Sequence, residues 1–247
     1  MTRFLRSALF VAVATAALLM AGCSGTKEEP TFDPDGADEI ALQMLPEARV
    51  LPGTGWLLIS ENDFSDDEDD EDEFPEDQDR CSRVNETISD LEVFDRDERV
   101  GRAEREFEVG MPGDEPIEVE ITAEIYSSVA KLSAAARSYD SIVTSGDFGH
   151  CLVAYMEAFT DEATTIDATE QEPSAKSPRG GWQIAIVVTV RDADGETNTH
   201  FESYVWQIGN AMVSVTFSGA KERMTDQFVS QVLDRVDGSA MVAATGS

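Results

Sequence analysis

The run "IEVEITAEIY" at 117–126 constrains the fold of this chain more than any other stretch. Ile117, Val119, Ile121, Ala123 and Ile125 alternate there with Glu118, Glu120, Thr122 and Glu124. Such period-two alternation marks a strand, because successive side chains point to opposite faces of the pleat. "RAEREFEV" at 102–109 repeats the device, with Glu104, Glu106 and Glu108 set against Phe107 and Val109. The connection "GMPGDEP" suits a hairpin loop. Both apolar sets must face one core, so paired residue numbers sum to an even number. The loop then predicts Glu108 opposite Glu118 and Glu106 opposite Glu120. Like charges directly opposite destabilise a sheet. Glu104, Glu106, Glu108, Glu118, Glu120 and Glu124 are therefore expected to form an outward, weak cation-binding face.

Further strands follow from the same signal. "LPGTGW" at 51–56 turns into the short strand "WLLIS". "WQIAIVVTV" at 182–190 is apolar on nearly both sides, which places it inside a sheet. "DADGE" turns it into "TNTHFESYVWQI", and "GN" at 209–210 turns that into "AMVSVTF". Three stretches have helical spacing instead. They are 128–143 with Val129, Leu132, Ala136, Tyr139 and Val143; 148–159 with Phe148, Cys151, Leu152, Tyr155, Met156 and Phe159; and 222–236 with Met224, Phe228, Val232 and Val236. The expected class is α+β: one domain at 45–238, with a mostly antiparallel sheet of five to six strands and about three helices packed on it.

Charge limits the partners. The chain has 50 acidic and 18 basic residues, a formal net charge of −32. Nucleic acid and anionic bilayers would repel such a surface, so no nucleic-acid partner is expected. Residues 61–80 hold thirteen carboxylates and one arginine and read as a solvated, disordered loop. Its "DDEDDEDEF" has no glycine where a calcium loop needs its sharp turn.

The N-terminus has three parts. "MTRFLR" is basic, "SALFVAVATAALLM" is apolar, and "AGC" places small residues before a cysteine. This is the layout of an export signal, too short for a good membrane span. The cysteine after small residues resembles the lipobox of bacterial lipoproteins, which implies a signal at 1–22 and lipid on Cys23. Losing Arg3 and Arg6 with that signal takes the charge from −32 to −34. Residues 23–44 read as a flexible acidic tether and 239–247 as a flexible tail. Lipid on Cys23 leaves Cys81 and Cys151, a disulfide pair in an oxidising compartment or two buried thiols.

The run "VEITAEIYSSVAKLSAAARSYDSIVTSGDFGHCLVAYMEAF", with "LPGTGW" upstream and "YVWQIGNAMVSVTF" downstream, carries a family likeness. It resembles lipid-anchored envelope proteins of actinobacteria and the extracellular sensor domains of mycobacterial receptor serine/threonine kinases. The resemblance implies an antiparallel sheet with helices, a cleft and an extracellular ligand. Those domains typically carry two disulfides, and this chain has cysteines for one and no kinase domain.

The sequence carries no catalytic signature. The histidines are His150 and His200, and neither lies in HExxH or beside CxxC. His200, alternating with Phe201 on a hairpin strand, is expected to be exposed. GxSxG is absent. The expectation is a non-enzymatic binding or sensor-like domain without cofactor or metal, held on the outer face of the cell membrane by its lipid. Its ligand would be a small molecule or a protein. The alternative is a structural envelope protein whose acidic surface recruits divalent cations or basic partners.

Overall fold

The alternating runs do become strands, and they join into one sheet. The computed structural model describes residues 31–32, 36–62, 98–110, 116–130, 132–133, 151, 153, 164–192 and 195–245. The strands are β1 (Trp56–Asn62), β2 (Arg99–Val109), β3 (Ile117–Tyr126), β4 (Thr165–Gln171), β5 (Trp182–Asp192), β6 (Gly195–Ile208) and β7 (Ala211–Gly219). Their order across the sheet is β1-β2-β3-β7-β6-β5-β4, and every neighbouring pair is antiparallel. Two meanders thus meet along β3 and β7. The hairpin register is the expected one, with Glu106 opposite Glu120 and Glu108 opposite Glu118.

The described sheet has seven strands, not five or six. The additional strand, β4, reads "TIDATEQ" and buries only Ile166. Its pairing with β5 makes it a strand, and its sequence carries little apolar periodicity. The helix count also differs. Two α-helices lie among the described residues, α1 (Ala37–Met44) and α2 (Asp226–Thr245), against about three expected. The readings at 128–143 and 148–159 fall mostly outside those residues, although 129–130, 132–133, 151 and 153 are helical.

Both helices extend into stretches read as flexible. Lys221–Arg223 forms a separate 3-10 turn, and Thr225 Oγ1 accepts the Phe228 N–H at 3.2 Å as α2 begins. The helix then runs through 239–245, where Ala240 is buried, so the expected tail is structured almost to its end. Residues 37–44 of the expected tether are α1, with Ala37, Ala41 and Met44 buried. Upstream, Asn210 of the β6–β7 turn holds Phe32. Its Oδ1 accepts the Phe32 N–H at 2.7 Å, and its Nδ2 donates to the carbonyls of Phe32 at 3.3 Å and Tyr126 at 2.6 Å. Small apolar residues met once per turn are enough to dock a short helix, but they stand out poorly in an acidic sequence.

The main core lies between α1, α2 and one face of the sheet. Phe107, Val119, Ile121, Val213, Val215 and Phe217 face Val229, Val232, Leu233 and Val236. Trp56 closes the β1 end, stacked on Phe228 with centroids 5.9 Å apart and edge-on to Phe107 at 6.0 Å. Gly101 admits α1 against β2 at a β-bulge. A Cβ there would stand 2.4 Å from the Ala37 carbonyl carbon and 2.7 Å from the Asp38 nitrogen, both backbone atoms. Gly101→Ala should therefore push α1 off the sheet and cost about 2 kcal/mol, the scale of core overpacking. A chemical-denaturation midpoint equal to the parent's would contradict this contact. No helix among the described residues is long and apolar enough to cross a membrane.

Candidate functional site

The glutamates of β3 are where the sequence puts them, on the face opposite α1 and α2, but they do not face water. Glu118, Glu120 and Glu124 are only 8%, 9% and 7% exposed. Thr122, Ser214, Thr216 and Ser218 on the same face are buried as well. The expectation of an outward face is corrected here: the glutamates of β2 are half-buried and those of β3 are covered. At its β6–β7 end this face carries a second apolar cluster of Tyr126, Leu132, Val205 and Met212, with Trp182 packed against it. Alternation fixes which side chains share a face. What packs on that face lies outside the strand.

Covering carboxylates has an electrostatic cost. Arg99 approaches Glu124 at 3.2 Å, while Arg102 reaches Glu124 at 3.5 Å and Glu104 at 3.8 Å. Hydroxyls help: Tyr126 donates to Glu124 at 3.1 Å, Ser218 to Glu118 at 3.0 Å and Ser60 to Glu106 at 3.2 Å. Glu120 remains the stressed member. Burial, reinforced by the charges of Glu104 and Glu106 and opposed by Arg102, holds its carboxyl well above the ordinary range. The row thus gathers carboxylates on a face largely withdrawn from water, with one of them resisting ionisation.

A second polar constellation sits on the other face, where α2 begins. His200, Glu202 and Tyr204 alternate along β6 and are all buried, so the expectation of an exposed His200 is wrong. Glu202 Oε1 accepts from Ser174 Oγ at 2.6 Å, Lys221 Nζ at 2.7 Å and His200 Nε2 at 2.7 Å. Oε2 accepts from Tyr204 OH at 2.5 Å and the Ser174 N–H at 3.1 Å. Burial by itself would raise the Glu202 carboxyl, but the bonds from His200, Lys221, Ser174 and Tyr204 outweigh it and hold it at about 2. The same burial, together with that carboxylate, drives the Tyr204 phenol far above its usual value.

The Ser174 and Lys221 pair invites a nucleophile reading, since Nζ lies 2.8 Å from Oγ. The geometry argues against it. Lys221 Nζ donates to both Ser174 Oγ and Glu202 Oε1, and the Ser174 hydroxyl donates to a carboxylate too acidic to act as a base at neutral pH. The cluster instead ties β6, the 174–175 segment and the 221–223 turn together. Sequence reading missed it by taking polar residues on a strand as outward. One signal was present: 200, 202 and 204 share parity with the inward Trp206 and Ile208.

Of the other expected site residues, Cys151 is fully buried and is not a free thiol. Cys23, Cys81 and His150 lie outside the described residues. Among the described residues, no group of three or more His, Cys, Asp or Glu is disposed to hold a metal ion.

No protein-family model matches this chain. No curated protein matches it either. Among solved structures, the di-domain ARO/CYC protein BexL from the BE-7585A biosynthetic pathway aligns over 59% of this chain and 75% of its own, at 12% identity and a TM-score of 0.12. A likeness of that size carries no argument about fold or activity.

Proposed function

We propose that this protein is a lipid-anchored, extracytoplasmic binding domain of the bacterial cell envelope, sensor-like and non-enzymatic. The anchor is the diacylated Cys23 left after cleavage of residues 1–22, and a disulfide between Cys81 and Cys151 staples the domain. The reading draws on the tripartite N-terminus and on the pattern shared with envelope lipoproteins. The observation that carries the binding role is the covered carboxylate row on the second face of the sheet. The chain keeps Glu106 opposite Glu120 and Glu108 opposite Glu118 although such pairs cost up to about 1 kcal/mol each. A cationic ligand that meets the row at its half-buried β2 members, either a basic group of a larger molecule or divalent ions gathered diffusely without a fixed site, relieves that cost.

The test is thermal melting against cations. Stability should rise with ionic strength, and more steeply with divalent than with monovalent salt at equal ionic strength. Glu106→Gln with Glu108→Gln should remove much of the response. Glu120→Gln should raise the melting temperature at neutral pH, because a carboxyl with a raised folded value opposes folding once ionised. A melting temperature indifferent to salt and calcium in the parent, or an equal response in the double variant, would end the ligand reading.

A further inference from the structure

The two edges of the sheet are unlike. β4, one edge, exposes Thr165, Asp167, Thr169, Glu170 and Gln171, the polar and charged dress that keeps an edge from pairing. β1, the other, exposes Leu57 (59%), Leu58 (45%) and Ile59 (45%) in succession. The described residues have five exposed large apolar side chains, and three of them are consecutive on this edge strand. Isolated apolar residues on a surface need no explanation, but a contiguous set along an open edge does. Among the described residues only β2 pairs with β1. The inner edge is firmly seated: Trp56 packs on Phe107 and Phe228, and Arg105 Nε donates to Glu61 at 2.6 Å. These contacts hold the strand on β2, and no described strand pairs with its other edge. A bulge at Ile59, which has no partner on β2, spreads the three side chains over both faces of the edge.

We propose that β1 is a docking strand that takes up an extended segment of a basic partner protein by antiparallel strand addition. Backbone bonds to the open edge would supply affinity, and side chains alternating over Leu57, Leu58 and Ile59 would supply fit. Charge selects the occupant. A chain at −32 repels a second copy of itself and attracts a basic chain. An antiparallel guest begins beside the Glu61–Asn62 end of β1. The inference requires neither the carboxylate row of the second face nor the lipid anchor.

The test uses the full-length protein and a labelled peptide of about ten residues, with three Lys or Arg followed by alternating Val and Thr. Fluorescence anisotropy should show saturable binding that weakens at least about tenfold between about 0.05 and 0.5 M salt. Leu57→Lys with Ile59→Lys should weaken it by about tenfold or more. Both positions are exposed, and an unchanged melting temperature would show the variant folded. A peptide with proline at the centre of its Val–Thr run should not bind, whatever the fate of the variant. Absence of binding, equal binding by the proline peptide, or equal binding by the double variant overturns the proposal. Equal binding of a peptide with Glu in place of Lys and Arg overturns the choice of a basic partner. A dimer seen in sedimentation, or uptake by neutral phosphatidylcholine vesicles of the Cys23→Ala chain, with either lost in the double variant, reassigns the edge to self-association or to a membrane.

Discussion

Cys23→Ala should move the protein out of the membrane fraction almost completely, or leave it there with its signal uncut. The expectation follows from an energy balance. Each buried methylene contributes about 0.8 kcal/mol, one acyl chain holds a protein marginally, and two hold it stably. Against the lipid stands a surface of net charge −34 once Arg3 and Arg6 are removed, which gains nothing from an anionic bilayer. Without the lipid, and with the apolar run at 7–20 cut away, the acidic surface is repelled by an anionic bilayer. Fractionation by ultracentrifugation, with labelled palmitate and the mass of the mature N-terminus, measures the outcome. Equal incorporation of palmitate into the variant would sink the lipoprotein reading.

The second large effect belongs to Glu202. Its side chain is fully buried and accepts five hydrogen bonds, from His200, Lys221, Ser174 twice and Tyr204. Glu202→Ala leaves those donors facing a void, and removing one partner from a buried charged network costs about 3–5 kcal/mol. For a domain this size that is roughly a 10 °C fall in melting temperature. Glu202→Gln keeps the shape and some of the bonds and should lose less. The pH dependence identifies the carboxylate. Its folded value is about 2 against 4.5, so its contribution is present above pH 4.5 and is lost as pH falls toward 2. Glu120 acts with the opposite sign, since its raised value makes stability grow on acidification down to 4.5. Stability against pH in Glu202→Gln should therefore lack the steep loss below pH 4.5 and keep the Glu120 gain. A Glu202→Ala variant melting within about 2 °C of the parent would show the network to be dispensable.

Local periodicity was legible wherever one residue's neighbours decide its state. The β2–β3 register could be read because both apolar sets must meet one core and a slip of one residue would invert them. The "GN" turn and the inward positions Val232 and Val236 of α2 were readable for the same local reason. β4 was not, because pairing rather than burial makes it a strand. α1 was not, because its docking depends on Gly101 of a distant strand leaving room for Ala37.

The candidate sites divide along the same line. The sequence by itself determined that Glu104, Glu106, Glu108, Glu118, Glu120 and Glu124 share one face, since alternation along a strand is a property of the backbone. Only the tertiary structure decided that the β3 members are covered, because burial depends on what packs on the opposite face. Only it brought Ser174 and Lys221 to the buried Glu202, and left Leu57, Leu58 and Ile59 open on an edge. A strand's sequence fixes the direction of its side chains, and its place in the sheet fixes whether they meet water, protein or a partner.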